Sequence, residues 1–167
     1  MDTLTAITTR RSVRNYANNI LTQDELKEII HYWLFAPSAH NQQAWKYYII
    51  SKKEDHIFLS ELMEFGKMLA NAWWVILACY DKNCVKSEEF IPQDMGASIQ
   101  TVLLAAHDKG IGSVWLGLYP HKKEMENIAA HFKLEENIVP FALISLGKQD
   151  WNLPEKTIKD DGKIGVL

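Results

Sequence analysis

A chain of 167 residues and 19.2 kDa has the length of one domain, enough to bury about 70% of its unfolded surface without staples. It is 47% hydrophobic and 23% charged, with a mean hydropathy of -0.18, which excludes a disordered, collagenous or low-complexity protein. A net charge of -3 excludes a broadly cationic surface, and with it nucleic acid as the main partner. Two cysteines five positions apart, Cys79 and Cys84, form neither a CxxC pair nor a usual zinc spacing. They read as buried or incidental thiols of a reducing compartment.

In chain order, residues 2–9 have the makings of a short helix. All three arginines of the chain then fall within five residues, at Arg10, Arg11 and Arg14, against fifteen lysines spread elsewhere. Thr22 and Glu25 form a capping box. Leu26, Ile29, Ile30, Trp33 and Leu34 follow at helical spacing, predicting a helix to about Phe35 that Pro37 stops. Residues 37–43 are a polar, turn-prone loop. Residues 45–51 predict a strand and 54–69 a helix. Residues 72–80 are continuously apolar, as in a strand buried on both faces. At nine residues the run falls far short of the ~20 that a membrane helix needs.

Residues 81–92 read as a charged loop. A helix is predicted from Asp94 to Lys109, ended by Gly110. Its Gly96, Ala97, Ser98, Ala105 and Ala106 permit close approach, so it is expected to be central and to suit a subunit interface. A strand over 112–118, a helix over about 121–132 and a strand over 139–146 follow, with Pro140 near the last strand's start. The final stretch, 148–167, is polar and irregular, a tail expected to fray or dock. Four strands among about five helices make a mixed α and β layer architecture in one domain spanning 1–167. The N-terminus shows no basic start followed by an apolar stretch, so no signal peptide is expected and the expected location is cytoplasmic.

Arg10-Arg11-Ser12-Val13-Arg14 reads in two ways. Planar guanidinium forks and a serine hydroxyl suit a phosphate, and a solvated basic turn is the plainer alternative. No GxGxxG follows a strand and no GxxxxGK[ST] occurs, so neither a Rossmann nor a P-loop site is indicated. The six histidines form no HExxH and no ligand pair, and no GxSxG is present. His40 stands out only because it lies in the polar loop after Pro37. With no side-chain acid-base machinery in view, a cofactor is expected to carry the chemistry.

Several separated segments together match one family. Residues 10–14 (RRSVR), 36–45 (APSAHNQQAW), 66–69 (GKML) and 94–117 (DMGASIQTVLLAAHDKGIGSVWLG) resemble, in order and spacing, the nitroreductase family of FMN-dependent oxidoreductases. The resemblance implies an α+β fold with a central mixed or antiparallel sheet flanked by helices. It also implies an intertwined homodimer with FMN at the interface and a tail, 148–167, docking on the partner subunit. By position, Arg10, Arg11 and Ser12 resemble the ligands of the FMN phosphate and ribityl chain, and Arg14 the charge near the flavin N1/O2 edge. Pro37, Ser38 and Asn41 resemble the loop that the second chain lays against the flavin. Leu116, Gly117 and Leu118 resemble the stretch whose backbone passes the ring, an amide near Gly117 reaching N5, with strand core as the plainer reading of both leucines.

The chain departs from the family pattern at Ala44, where a proline is usual, in lacking the aromatic ending, and in its lack of a C-terminal arginine. Lys159 is the substitute candidate for the phosphate, with Lys156 next. The implied activity is hydride transfer from NADH or NADPH through flavin N5 to a nitroaromatic or quinone-like acceptor, by a ping-pong mechanism. No side chain is expected to be catalytic and no metal is implied. The competing readings are an FMN-binding store or sensor with little turnover, and a domain whose arginines bind phosphorylated or acidic partners.

Overall fold

The computed structural model describes residues 1–17, 21–148, 157–159 and 161–166. The element order is α1 (Thr3–Thr9), α2 (Gln23–His31), β1 (Trp45–Ile50), α3 (Lys53–Leu62), β2 (Trp74–Asp81), α4 (Ile91–Asp108), β3 (Ile111–Gly117), α5 (Lys122–His131) and β4 (Ile138–Lys148). Short 3-10 turns at 32–35, 39–41, 67–71, 82–84 and 88–90 connect them. The strands form one sheet in the order β1-β2-β4-β3, and every named pair is antiparallel. An isolated parallel bridge joins Ser12 to Ser113 at the β3 edge. No helix among the described residues is long and apolar enough to cross a membrane.

The apolar run of β2 divides by alternation between two cores. Ile76, Ala78 and Tyr80 face a layer made by α2 and α4, while Val75, Leu77 and Cys79 face α3, α5 and the 67–71 turn. A strand read by its period of two therefore supplies both faces of a three-layer molecule. Between Ala78 and Cys79 the register with β4 shifts, Ala78 facing Ala142 and Cys79 facing Pro140. The extra residue is Phe141, so Pro140 sits at a bulge, where its missing N–H breaks no regular ladder.

Most elements stand where periodicity puts them, with instructive differences at their ends. The capping box of α2 is complete, Thr22 Oγ1 accepting from the Glu25 N–H and the Glu25 carboxylate accepting from the Thr22 N–H at 2.8 Å. Gly110, at φ +70°, follows the end of α4 and bonds back to the His107 carbonyl. The helix predicted over 54–69 is interrupted. It stops at Leu62, where Met63 turns to extended backbone (φ -96°, ψ 126°), and a separate 3-10 turn follows Gly66, which is packed where a Cβ would lie 2.6 Å from Met63 Cβ. α4 begins at Ile91 rather than Asp94, with Pro92 in its first turn, where proline's missing N–H is harmless. β4 runs to Lys148, further than its apolar stretch, because β3 pairs along its end, Ile111 facing Lys148, and the Ala17 N–H also donates to the Lys148 carbonyl at 2.9 Å.

Candidate functional site

The arginine segment lies along the open edge of β3. Val13 N–H donates to the Ser113 carbonyl at 2.9 Å. Val13 itself is buried against Gly112, where an added Cβ would lie 2.7 Å from Val13 Cγ1. Three residues on, the ring of Tyr16 covers Gly147, whose added Cβ would meet Tyr16 Cγ at 2.6 Å. The Tyr16 hydroxyl donates to the Val13 carbonyl (3.0 Å) and is 2.6 Å from Ser145 Oγ. Burial pushes that phenol up to about 12, against the smaller opposing pull of Ser145 and Arg14, so it stays protonated. Two glycines in neighbouring strands thus admit two side chains of one segment. The sequence signal was available: a glycine inside a strand marks a close approach.

That docking brings Arg14 to a cleft of about 390 Å³ shared with Val114–Gly117, Met63–Phe65, Met68, His121 and Glu124. Arg14 is exposed, its Nη1 3.5 Å from the Ser12 carbonyl. Gly117 is exposed at the end of β3. Leu116 is 7% exposed and Leu118 fully buried, both within the second core. Their side chains are strand core, and the strand's end presents its edge to the cleft. A larger, more polar cleft of about 520 Å³ lies on the other side of Arg14, with Asn15, Lys53, His56 and Asn71 on its wall. The smaller cleft is the candidate site because it joins Arg14 to the exposed end of β3, with Met63, Phe65 and Met68 as apolar lining.

Arg11 folds back. Its Nη1 donates to the Thr8, Thr9 and Arg10 carbonyls at 3.1, 2.9 and 3.0 Å, the groups left open at the end of α1. Arg10 is half-buried and Ser12 exposed. None of these three lines the cleft that Arg14 enters.

Pro37, Ser38 and Asn41 are placed elsewhere. Their loop leads into β1, which four strand spacings, about 19 Å, separate from the arginine segment. None of the three lines the Arg14–Gly117 cleft. The loop is tightly determined all the same. His40, Asn41 and Gln43 hold positive φ angles of 52°, 49° and 45°. Ser38 Oγ accepts from the Gln43 N–H at 3.1 Å. Asp94, buried in the first turn of α4, accepts from the Ala39 N–H (2.9 Å) and from Gln42 Nε2 (2.6 Å). Gln42 also accepts from the Lys86 and Ser87 N–H groups. Asp94 looked from its position like an ordinary first-turn acid, and only the fold makes it the anchor of this loop.

Of the remaining expectations, Lys159 is exposed and Lys156 lies outside the described residues, as do 149–155 of the expected tail. Cys79 is buried, its thiol pushed well above the ordinary range by desolvation, and Cys84 is exposed. Met63, Glu64, Phe65, His121 and Glu124 were not predicted for the site. The first three adjoin the 66–69 segment, which carries part of the family resemblance.

The nitroreductase family model matches residues 7–80 and 60–148. The chain belongs to the nitroreductase family. A relative in Archaeoglobus fulgidus, provisionally named an NADH dehydrogenase/NAD(P)H nitroreductase, is 38% identical over 145 residues, covering 86% of this chain and 83% of that one. The fold is shared with a Clostridium acetobutylicum structure provisionally named an NADH oxidase, at 30% identity and a TM-score of 0.91, covering 96% and 98% of the two chains. A Desulfovibrio desulfuricans nitroreductase-family structure in complex with FMN matches at 26% identity and a TM-score of 0.82, covering 96% and 94%. The antiparallel sheet of this nitroreductase-family chain agrees with the fold expected from the resemblance.

Proposed function

We propose that the chain is an FMN-dependent NAD(P)H oxidoreductase that passes hydride to a nitroaromatic or quinone-like acceptor, working as a homodimer. The observation that supports this is the docking of the segment after Arg10-Arg11-Ser12 on the β3 edge, which brings Arg14 to a cleft lined by Val114–Gly117. The donor set fits the group: guanidiniums and a hydroxyl suit a phosphate. Met63, Phe65, Met68 and Leu116 give the cleft an apolar lining and Arg14 a positive charge, which together suit a flat ring with one electron-rich edge.

FMN, when bound, supplies two-electron chemistry, taking hydride from NADH or NADPH and giving it up to the acceptor. Arg10, Arg11 and Ser12 would hold its phosphate, with Lys159 as the candidate from the C-terminal stretch. Arg14 would place positive charge beside the ring, favouring its reduced form, and the backbone near Gly117 would set the ring's depth. Donor and acceptor would use the same open face in turn, which gives ping-pong kinetics. The loop at Pro37, Ser38 and Asn41 stands apart from the cleft of its own chain, which supports a role toward the cleft of a second copy. Its buried anchor, Asp94, keeps that loop in one shape before the copies meet.

The test is a visible absorption spectrum of the purified protein, recorded anaerobically before and after NADH and then NADPH. Flavin bands that bleach with one nucleotide are the expected result, and steady-state lines that stay parallel as the acceptor is varied would follow from a shared face. Bands that neither nucleotide bleaches would leave a flavin-binding protein without turnover. A colourless protein that FMN does not reconstitute would refute the assignment.

A further inference from the structure

The cleft of about 520 Å³ on the other side of Arg14 is rich in hydrogen-bond donors. Arg14, Asn15, Lys53 and Asn71 are exposed along it, and no aspartate or glutamate is among its lining residues. Lys53 gives one of its three N–H donors to the Ala70 carbonyl and keeps two. The half-buried Trp73 is part of the wall, held by its Nε1–H, which donates to the Ala17 carbonyl at 2.9 Å.

His56, 2% exposed, belongs to the same wall. Its Nε2 lies 2.9 Å from the Ile50 carbonyl, which only accepts, so Nε2 carries the hydrogen and Nδ1 of the neutral ring is an acceptor. That Nδ1 is buried and has no hydrogen-bond partner among the described residues. Such an orphan is uncommon in a folded chain unless a water or a ligand donor completes it. The wall therefore suits a ligand with negative charge for Arg14 and Lys53 and a hydroxyl or N–H donor for His56.

The neighbouring cleft differs in size and in sign. At about 390 Å³ it lies near the lower end of the range for one drug-sized ligand, so a flavin ring in it leaves no room for a whole dinucleotide. It also carries Glu64 and Glu124, whose carboxylates repel phosphates. Arg14 lines both clefts, and positive charge continues from it only into the larger one.

We propose that the larger cleft is the site for the adenylate half of NADH or NADPH. The phosphates lie toward Arg14 and Lys53, with the amides of Asn15 and Asn71 beside them, and a sugar or base donor completes His56 Nδ1. The proposal rests on the flavin reading above for the dinucleotide, and on the cleft alone for a phosphorylated nucleotide.

AMP and adenosine are titrated into the purified protein, followed by calorimetry and by the His56 ring nitrogens in NMR spectra. AMP is expected to bind about tenfold or more tightly than adenosine and to move the His56 signals. Lys53→Gln should weaken AMP about tenfold, the loss of one charge-assisted hydrogen bond, and Asn71→Ala about fivefold. Because Lys53→Gln also removes the Ala70 contact, the exposed Asn71 keeps the test independent of that turn. In turnover, AMP should compete with NADH, and reduced nicotinamide mononucleotide, which lacks the adenylate half, should show a KM about tenfold above that of NADH. Absent AMP binding, AMP binding that neither substitution weakens, or equal KM values for the two donors would overturn the proposal. Flavin that NADH bleaches in a protein without AMP affinity would do the same and leave the flavin reading standing. AMP binding that both substitutions weaken, in a protein that does not hold FMN, would uphold the nucleotide site and refute the flavin reading.

Discussion

Asp94→Asn tests how the loop at 37–43 is held. Asp94 is 6% exposed and both its oxygens accept, one from the Ala39 N–H at 2.9 Å and the other from Gln42 Nε2 at 2.6 Å. Asparagine keeps one acceptor and turns an NH2 group toward the Gln42 amide nitrogen. Gln42 cannot resolve that clash by rotating its amide, since its oxygen already accepts from the Lys86 and Ser87 N–H groups at 2.9 and 3.1 Å. A charge-assisted bond is worth about 1.5–3 kcal/mol and a buried donor left unpaired costs about 1–3 kcal/mol, so a net loss of about 3 kcal/mol is expected.

Against a total stability of about 5–15 kcal/mol that is a large fraction. It should lower the urea midpoint by about 1.5 M for an m value near 2 kcal/mol/M. The three residues at positive φ also store about 1–3 kcal/mol each, so a loop freed from its anchor should relax and become open to proteases at 38–43. Urea unfolding at one fixed protein concentration, paired with limited proteolysis, reads both effects. A midpoint within about 0.3 M of wild type together with an unchanged cleavage pattern would refute the anchoring role of Asp94.

Gly112→Ala sets a methyl 2.7 Å from Val13 Cγ1 and 2.9 Å from Val13 Cβ. Prising the arginine segment from β3 should cost about 1–3 kcal/mol of stability, with flavin retention falling too; intact flavin binding would show that the segment docks by other contacts. Arg10→Ala should weaken FMN binding by about 1.5–3 kcal/mol, measured by fluorescence titration, and unchanged affinity would remove Arg10 from the site. Glu25 is drawn down to about 2, first by the Thr22 N–H, then by the Thr22 hydroxyl and Lys148. Its folded value lies below its ordinary 4.5, so its stabilising effect is complete above that value and lost as pH falls toward 2. Wild type should therefore exceed Glu25→Gln in urea midpoint at pH 7, with the gap closing by pH 2.5; a gap that does not change with pH would contradict the capping role.

The local elements were legible because each is specified by neighbours in the chain. Thr22 and Glu25 sit three apart, on one turn. The 74–81 strand carries its two-faced burial in an unbroken apolar run, and Gly110 ends α4 through a backbone angle that few other residues take at little cost. Arginine clustering and the joint pattern of four segments carry the family in the sequence itself. What the sequence left open depends on residues far apart in it. Gly112 and Gly147 matter because Val13 and Tyr16 arrive from the other end of the chain. Asp94 reaches back 55 residues to Ala39, and His107 reaches 98 residues to Thr9. Composition and period report which face of an element is apolar, but not which distant backbone will lie across it; that is decided when the sheet order and its covering layers bring those groups within hydrogen-bond reach.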